Sequence, residues 1–393
     1  MIIREAAAAA RRLGAGFPVV AITGPRQSGK TTLARQVFAG KPYISLEDPD
    51  ERAQAAADPR GFLARFGGGA ILDEAQRLPE LFSYLQGVVD EHQRAGEFVL
   101  TGSQQFGLMS RITQSLAGRV GLLQLLPLSL SELAAAGLAP TRLQDALWRG
   151  GYPALHSCDL QPGDWVPNYV ATYIERDVRQ LLAVRDLALF QRFLKMCAAR
   201  SAQLLNLSAL AADCGISHVT AREWLTVLEA SYVVRLLAPY HVNFGKRQVK
   251  TPKLYFLDTA LAAWLLGVRD AQSLATHAMR GALFETWVLG EILKHEFNAG
   301  RTPEVWFWRD SAGHEIDLLL PVGDRLQPVE IKSGATFAAD WLDGPRRWAA
   351  LAGPAALQPI IVYGGSASYE RQGCRVLSWR DLAHATEAES RQP

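Results

Sequence analysis

Gly24-Pro25-Arg26-Gln27-Ser28-Gly29-Lys30-Thr31 lies between a short apolar run at 19–23 and a helix-forming run at 30–38. Its glycines let the backbone curl so that successive N–H groups face an anion at a helix N-terminus. Lys30 adds a point charge suited to β- and γ-phosphates, and the Thr31 hydroxyl suits magnesium. The chemistry expected of Gly24, Pro25, Arg26, Gln27, Ser28, Gly29, Lys30, Thr31 and Thr32 is binding of ATP with Mg2+. A second group follows in Ala70-Ile71-Leu72-Asp73-Glu74. Apolar residues bury this strand, and Asp73 sits at its C-terminal end, the edge where open α/β sheets bind ligands. Asp73 is expected to hold magnesium with Thr31, while Glu74 polarises the attacking water. The plainer reading is that Asp-Glu caps the next helix.

Two further residues are candidates for hydrolysis. Ser103, closing the run Thr101-Gly102-Ser103, has a hydroxyl placed to sense the γ-phosphate; an ordinary strand-end turn is the competing reading. Arg119 follows Gly118 at the end of a helical stretch and precedes a strand, a position suited to presenting an arginine to a neighbouring subunit's nucleotide. Arg111 competes for that role.

A third group lies near the C-terminus. Glu315-Ile316-Asp317 and Val329-Glu330-Ile331-Lys332 read as strands. Period-two alternation puts Glu315 with Asp317, and Glu330 with Lys332. Adjacent strands could aim Asp317, Glu330 and Lys332 at one point, with Glu285 added from the preceding helix. Carboxylates so spaced bind magnesium, and a lysine can orient the water that attacks a phosphodiester. The same residues also suit a buried salt-bridge network in a non-cleaving scaffold.

Between these groups, 207–232 has helix-turn-helix spacing. Gly215 makes the turn and Ser217 caps the second helix. Val219, Trp224, Leu225 and Leu228 form its apolar face, with Thr220 and Arg222 on the exposed side. A basic stretch follows, with Lys246, Arg247, Lys250 and Lys253 as candidate phosphate contacts in a wing. The second helix is poor in Arg, Lys, Asn and Gln, so base-specific reading is not expected. Such modules also serve as connectors or protein-binding units.

The elements that must position these residues follow from the pattern. Five short apolar strands, at 19–23, 43–46, 70–73, 98–102 and 120–126, alternate with helices and imply a parallel sheet covered on both faces. The chain then turns helical to about residue 200. From Gly281 onward, helix, strands, helix and strand make a second α/β domain. Its 393 residues imply two to four domains. With 49% hydrophobic and 20% charged residues the chain is a folded protein, and a net charge of +2 means any nucleic-acid surface must be local. Cys158, Cys197, Cys214 and Cys374 are scattered, which indicates neither zinc nor a disulfide framework and suits a cytoplasmic protein. No apolar run is long enough to span a bilayer.

The runs GPRQSGKTTL, ILDEAQ, LTGSQQF, LAGRV and LPLSLSEL resemble AAA+ ATPases of the AAA-14 type. The runs GGYP, YIERDV, PKLYFLDTALAAWLLG, EIDLLL and VEIKSG are similar to the DUF4143 domain that accompanies them. The resemblance implies an α/β fold: a P-loop AAA+ parallel sheet with helical lid, then a winged-helix module and a restriction-endonuclease-like α/β domain. The corresponding spans are 1–130, 131–200, 201–258 and 259–393. It further implies ATP hydrolysis and assembly as a homo-oligomer, in ring form for many AAA+ proteins. Arg149 and Arg176 are lid arginines that could serve as a second sensor. The C-terminal set resembles the PD-(D/E)xK nuclease core as Glu285…Asp317…Glu330-x-Lys332, with Ile316 in place of the motif's proline. Two functions follow: an ATPase whose nucleotide state controls DNA binding, remodelling or metal-dependent cleavage, or an ATP-dependent switch on a protein partner with an inactive nuclease-like domain.

Overall fold

The apolar run Val19–Thr23 forms β1, buried along its whole length. In the computed structural model, residues 2–102, 115–158, 160–174, 186–240 and 250–382 are described. They divide into two compact units. The first comprises Met1–Leu128 with Ala230–Tyr232 and Glu296–Thr302, and the second comprises the remainder.

In the first unit β1 pairs in parallel with β4 (Phe98–Gly102) and β5 (Val120–Gln124). Adding β2 (Tyr43–Ser45) and β3 (Ile71–Asp73) gives a five-stranded parallel sheet in the order β2-β3-β4-β1-β5. Strand alternation explains why both faces are apolar. Val20 and Ile22 pack with α1 (Ala6–Gly16) and α2 (Lys30–Val37), through Ala6, Ala10, Leu33 and Ala34. Val19 and Ala21 pack on the other face with α3 (Pro49–Ala57), α4 (Pro59–Ala64) and α5 (Leu81–His92), through Ala55, Phe62 and Leu85. Each of the larger buried side chains among these, such as Val20, Ile22, Leu33, Phe62 and Leu85, contributes about 1.5–3 kcal/mol. Because the strands run in parallel, the ends of β1, β3 and β4 gather at one edge.

The second unit begins with short helices, Leu130–Ala135, Leu143–Arg149, Ala154–Ser157 and Pro162–Tyr169, followed by Leu187–Ala198. Helices Leu207–Cys214 and His218–Ala230 are joined by a turn in which Gly215 takes φ +71°. Ser217 caps the second helix by accepting the Thr220 N–H at 3.0 Å. A three-stranded antiparallel sheet accompanies them, in the order β6 (Gln203–Leu204), β8 (Lys253–Phe256), β7 (Val234–Leu237). Val219 does not belong to the apolar face, being 64% exposed. Ala221, Trp224, Leu225 and Leu228 make that face, and a residue two places before Ala221 lies about 200° around the helix.

The long helix Arg280–Asn298 precedes a six-stranded mixed sheet. Its strands are β9 (Trp306–Arg309), β10 (Glu315–Val322), β11 (Arg325–Lys332), β12 (Ile360–Tyr363), β13 (Tyr369–Arg371) and β14 (Cys374–Ser378). The order is β13-β14-β12-β11-β10-β9, and helix Asp343–Ala352 packs Trp348 against Trp308 and Ile316 on one face. The last two strands lie beyond the strands read from the sequence; β13 is short and exposed, with little apolar signal. No helix among the described residues is long and apolar enough to cross a membrane.

The Gly150-Gly151 pair serves this packing. Asp258 is buried, accepts the Gly151 N–H at 2.8 Å and caps helix Thr259–Leu265 by accepting the Ala260 N–H at 2.9 Å. Gly150 has φ +57°, and a Cβ there would lie 2.3 Å from the Asp258 carboxylate. Asp258→Ala removes a cap and leaves a buried N–H unpaired, so it should destabilise the protein by about 2 kcal/mol. Urea denaturation of the wild type and variant measures this; an unchanged midpoint would contradict the assignment.

Candidate functional site

At the end of β1 the backbone turns sharply. Gly24 has φ +148°, and a Cβ there would sit 2.1 Å from the Leu125 carbonyl oxygen, so only glycine fits. Gln27 is left-handed at φ +61°, and Gly29 caps α2 at φ +95°. The resulting loop ends on the first residue of α2, Lys30, whose side chain is folded inward. Its Nζ donates to the carbonyls of Gly24 at 3.0 Å and Pro25 at 2.7 Å. Ser28 is fully buried, and its hydroxyl has no hydrogen-bond partner among the described residues, which suits a ligand oxygen. Arg26 is half-buried, while Gln27 and Thr32 face outward.

Arg4 braces this loop. It is 5% exposed and donates to the Ser28 carbonyl at 2.6 Å and the Leu126 carbonyl at 2.7 Å. Nothing in the sequence separates Arg4 from an ordinary charge at the start of an alanine-rich helix.

Asp73 is the centre of the polar edge. Its carboxylate accepts the hydroxyls of Thr31 at 2.9 Å, Tyr43 at 2.7 Å and Thr101, and the Glu74 N–H at 3.1 Å. Thr101 lies on β4, between β3 and β1 in the sheet, and so bridges the gap across which Thr31 and Asp73 meet. Burial, with the bond to Asp73, pushes the Tyr43 hydroxyl up to about 12 and keeps it a donor. Sequence reasoning missed Tyr43 and the part Thr101 plays; Thr101 is a polar residue in the otherwise apolar, buried β4, whereas the short, partly exposed β2 gave no signal for Tyr43. Ser103 lies outside the described residues, as does Arg111. Thr31 and Asp73 form a pair of oxygens that could hold a magnesium ion, which takes few protein ligands and keeps water.

Glu74 follows Asp73 in a left-handed conformation, φ +53° and ψ +41°, and accepts a hydrogen bond from Gln76 Nε2. Such a backbone costs a bulky residue of order 1–3 kcal/mol and persists where its surroundings impose it. Arg119 lies elsewhere. Its carbonyl accepts the Val19 N–H at 3.1 Å, which places it at the start of β5, and its guanidinium pairs with Asp90 on α5. The length of β1, roughly 16 Å, separates that edge from the loop. Arg119 therefore does not reach its own loop.

In the second unit Glu285, Asp317, Glu330 and Lys332 come together, joined by Glu315. Asp317 lies one step beyond the Leu318↔Val329 pair, and its Oδ2 accepts the Ile331 N–H at 2.7 Å. Lys332 pairs with Glu330. Burial, reinforced by Asp317, pushes Glu285 up to about 7 and Glu330 up to about 8. Lys253, expected as a DNA contact, is instead buried among these carboxylates, because β8 is the middle strand of its sheet. Of the other expected DNA contacts, Arg222 and Lys250 are exposed. Thr220 is half-buried, with its hydroxyl 2.8 Å from that of Ser217. Lys246, Arg247 and Arg176 lie outside the described residues. Arg149 ends the Leu143–Arg149 helix in the second unit.

Comparison with known proteins adds the following. The AAA domain model of the AAA-14 type matches residues 16–134, making the first sheet an AAA ATPase domain. Domains of unknown function match at 140–272 (DUF8612) and 280–382 (DUF4143). GGYP and PKLYFLDTALAAWLLG fall in the former, EIDLLL and VEIKSG in the latter. Uncharacterized proteins of Mycobacterium tuberculosis and Mycobacterium bovis are each 35% identical over 339 residues, covering 85% of this chain and 74% of theirs. Among solved structures, the Walker-type ATPase PABY2304 of Pyrococcus abyssi is 14% identical over 67% of this chain and 96% of its own, with a TM-score of 0.46. The RuvB Holliday junction branch migration motor of Thermotoga maritima is 22% identical over 58% and 85%, with a TM-score of 0.30.

Burial lowers the Lys30 ammonium to about 8, against the pull of Glu74 and Asp73. A bound triphosphate restores its charge, so nucleotide binding near pH 8 takes up a proton. Affinity should be level well below pH 8 and fall by up to about tenfold per pH unit above it. Calorimetry of nucleotide binding in buffers of different ionisation enthalpy measures the proton; no uptake at pH 8 would refute the shift.

Proposed function

Since this chain belongs to the family that joins an AAA-14 ATPase domain to a C-terminal DUF4143 domain, we propose that it hydrolyses ATP with magnesium at the Gly24–Thr31 loop and that nucleotide state governs how its C-terminal half engages DNA. The observation that carries the first part is the meeting of Thr31 with Asp73 beside the inward-folded Lys30. The loop N–H groups cradle the phosphates and Lys30 neutralises them. Thr31 and Asp73 hold magnesium, which supplies charge stabilisation at the phosphates when bound. Glu74, oriented by Gln76, positions the attacking water, and Ser103 senses the γ-phosphate. Arg119 serves the site of a neighbouring subunit in a homo-oligomer.

In the DNA reading, the Leu207–Cys214 and His218–Ala230 helices carry Arg222 on their exposed side, with Lys250 exposed beyond β7. Contacts of this kind go to phosphates and are not sequence-specific.

Lys30→Ala should abolish ATP binding. Glu74→Gln should retain ATP and hydrolyse it more slowly by about 100-fold at least. Arg119→Ala should lower turnover with binding intact. Equilibrium binding and phosphate release measure all three, and normal hydrolysis in the first two would overturn the site. Fluorescence anisotropy with single-stranded, duplex and branched DNA at low salt, with and without nucleotide, tests the second part. Binding should depend on nucleotide and weaken in Arg222→Glu. Absence of binding to every form, or capture of a protein partner only with ATP and without DNA, would replace this reading.

A further inference from the structure

The nuclease-like set in the second unit implies a divalent metal, and the cluster itself tests the fit. Glu285, Glu315 and Asp317 each offer an oxygen within 4.8 Å of the others, close enough to share one cation. A cation is already among them. Lys253 Nζ lies 2.9 Å from Glu285 Oε1, in contact with Glu315 Oε1, and 4.0 Å from Asp317 Oδ1. Other donors engage the same carboxylates. The Tyr255 hydroxyl donates to Glu285 Oε1 at 2.5 Å, the Ile331 N–H to Asp317 Oδ2 at 2.7 Å, and Arg309 to Glu315 Oε2 at 2.8 Å.

Lys253 cannot yield this place easily. It is 2% exposed and sits on β8, the middle strand of its sheet. Its Nζ lies 5.5 Å from the centroid of the Phe307 ring. Burial alone would lower its ammonium, yet Glu285, Asp317 and Glu315 together hold it above the ordinary lysine range. A magnesium ion, or a manganese ion of similar size, needs several oxygens at about 2.1 Å and would meet a like charge among them. Glu285, Glu315 and Asp317, with the Lys253 ammonium between them, therefore do not fit a metal.

We propose that the side-chain ammonium of Lys253 is the resident cation of this pocket, tethered where a divalent ion would otherwise bind, so that the cluster is a metal-independent, non-cleaving element of the fold. The strands that build a carboxylate site are retained, and their repulsion is balanced by a lysine supplied from the neighbouring sheet. Removing that lysine should turn the pocket into a divalent-cation site.

The test is titration of the full chain with Mn2+ in the absence of nucleotide, followed by electron paramagnetic resonance of free Mn2+ and by thermal melting. The wild type should bind no Mn2+ through the cluster, and its melting temperature should not rise with Mn2+. Lys253→Met should gain one Mn2+ per chain and be stabilised by it, and adding Asp317→Asn should remove both effects. ATP turnover in Lys253→Met should match the wild type, which separates this result from any failure of the ATPase site. If the wild type binds Mn2+ and Asp317→Asn abolishes that binding, the proposal is overturned. It is equally overturned if folded Lys253→Met gains no site. Should Lys253→Met fold only with Mn2+ present, the ion has replaced the ammonium, as proposed. If it folds under neither condition, the wild-type titration decides alone.

Discussion

The carboxylate of Asp73 holds the first unit's working edge together. It collects hydroxyls from α2, β2 and β4, which reach it from three directions of the chain. An ionised carboxylate has about four acceptor positions, and a buried one is tolerated only when they are filled. Here every donor named is a neutral hydroxyl or a backbone N–H, so the group is satisfied without its charge being cancelled. It stays solvated by the protein and still attractive to a cation. The register of β1, β3 and β4 matters for this reason: a slip of one residue would turn Thr101 to the opposite face and leave the carboxylate underfilled.

The second unit solves the same electrostatic problem differently. Glu285, Glu315 and Asp317 face each other and meet a charged donor, Lys253, while Glu330 has Lys332. Charged partners cancel what hydroxyls leave in place. Gathered carboxylates in low dielectric cannot all ionise freely, and Glu285 and Glu330 respond by titrating upward toward neutrality. Similar residue types thus give two different outcomes, and what separates them is the identity of the donors.

The apolar layers set the scale on which this chemistry is arranged. With helices on both faces, β1 can be buried throughout, and its end becomes a fixed platform for the loop. Arg4 then ties the loop carbonyl of Ser28 to that of Leu126, so two chain segments far apart in sequence share one guanidinium. A guanidinium suits this role because its donors form a planar fork and it remains charged when buried.

The sequence alone determined what is local. Glycine spacing, an apolar run of strand length and a following helix specify the Gly24–Thr31 loop within a dozen residues. Period-two alternation gathers Glu315 with Asp317 and Glu330 with Lys332 on the same argument. The tertiary structure decided whatever depends on distant partners. Arg4, Tyr43 and Thr101 acquire roles only through residues 24 to 122 positions away. Val219 fits an apolar count, yet helix geometry turns it outward. Lys253 is the sharpest case. In the sequence it closes a basic, turn-rich stretch and reads as a surface charge. Strand pairing makes β8 the middle of a sheet and carries that lysine under the carboxylates of another one. Charge type is written in a residue, but its solvation and its partners are set by packing.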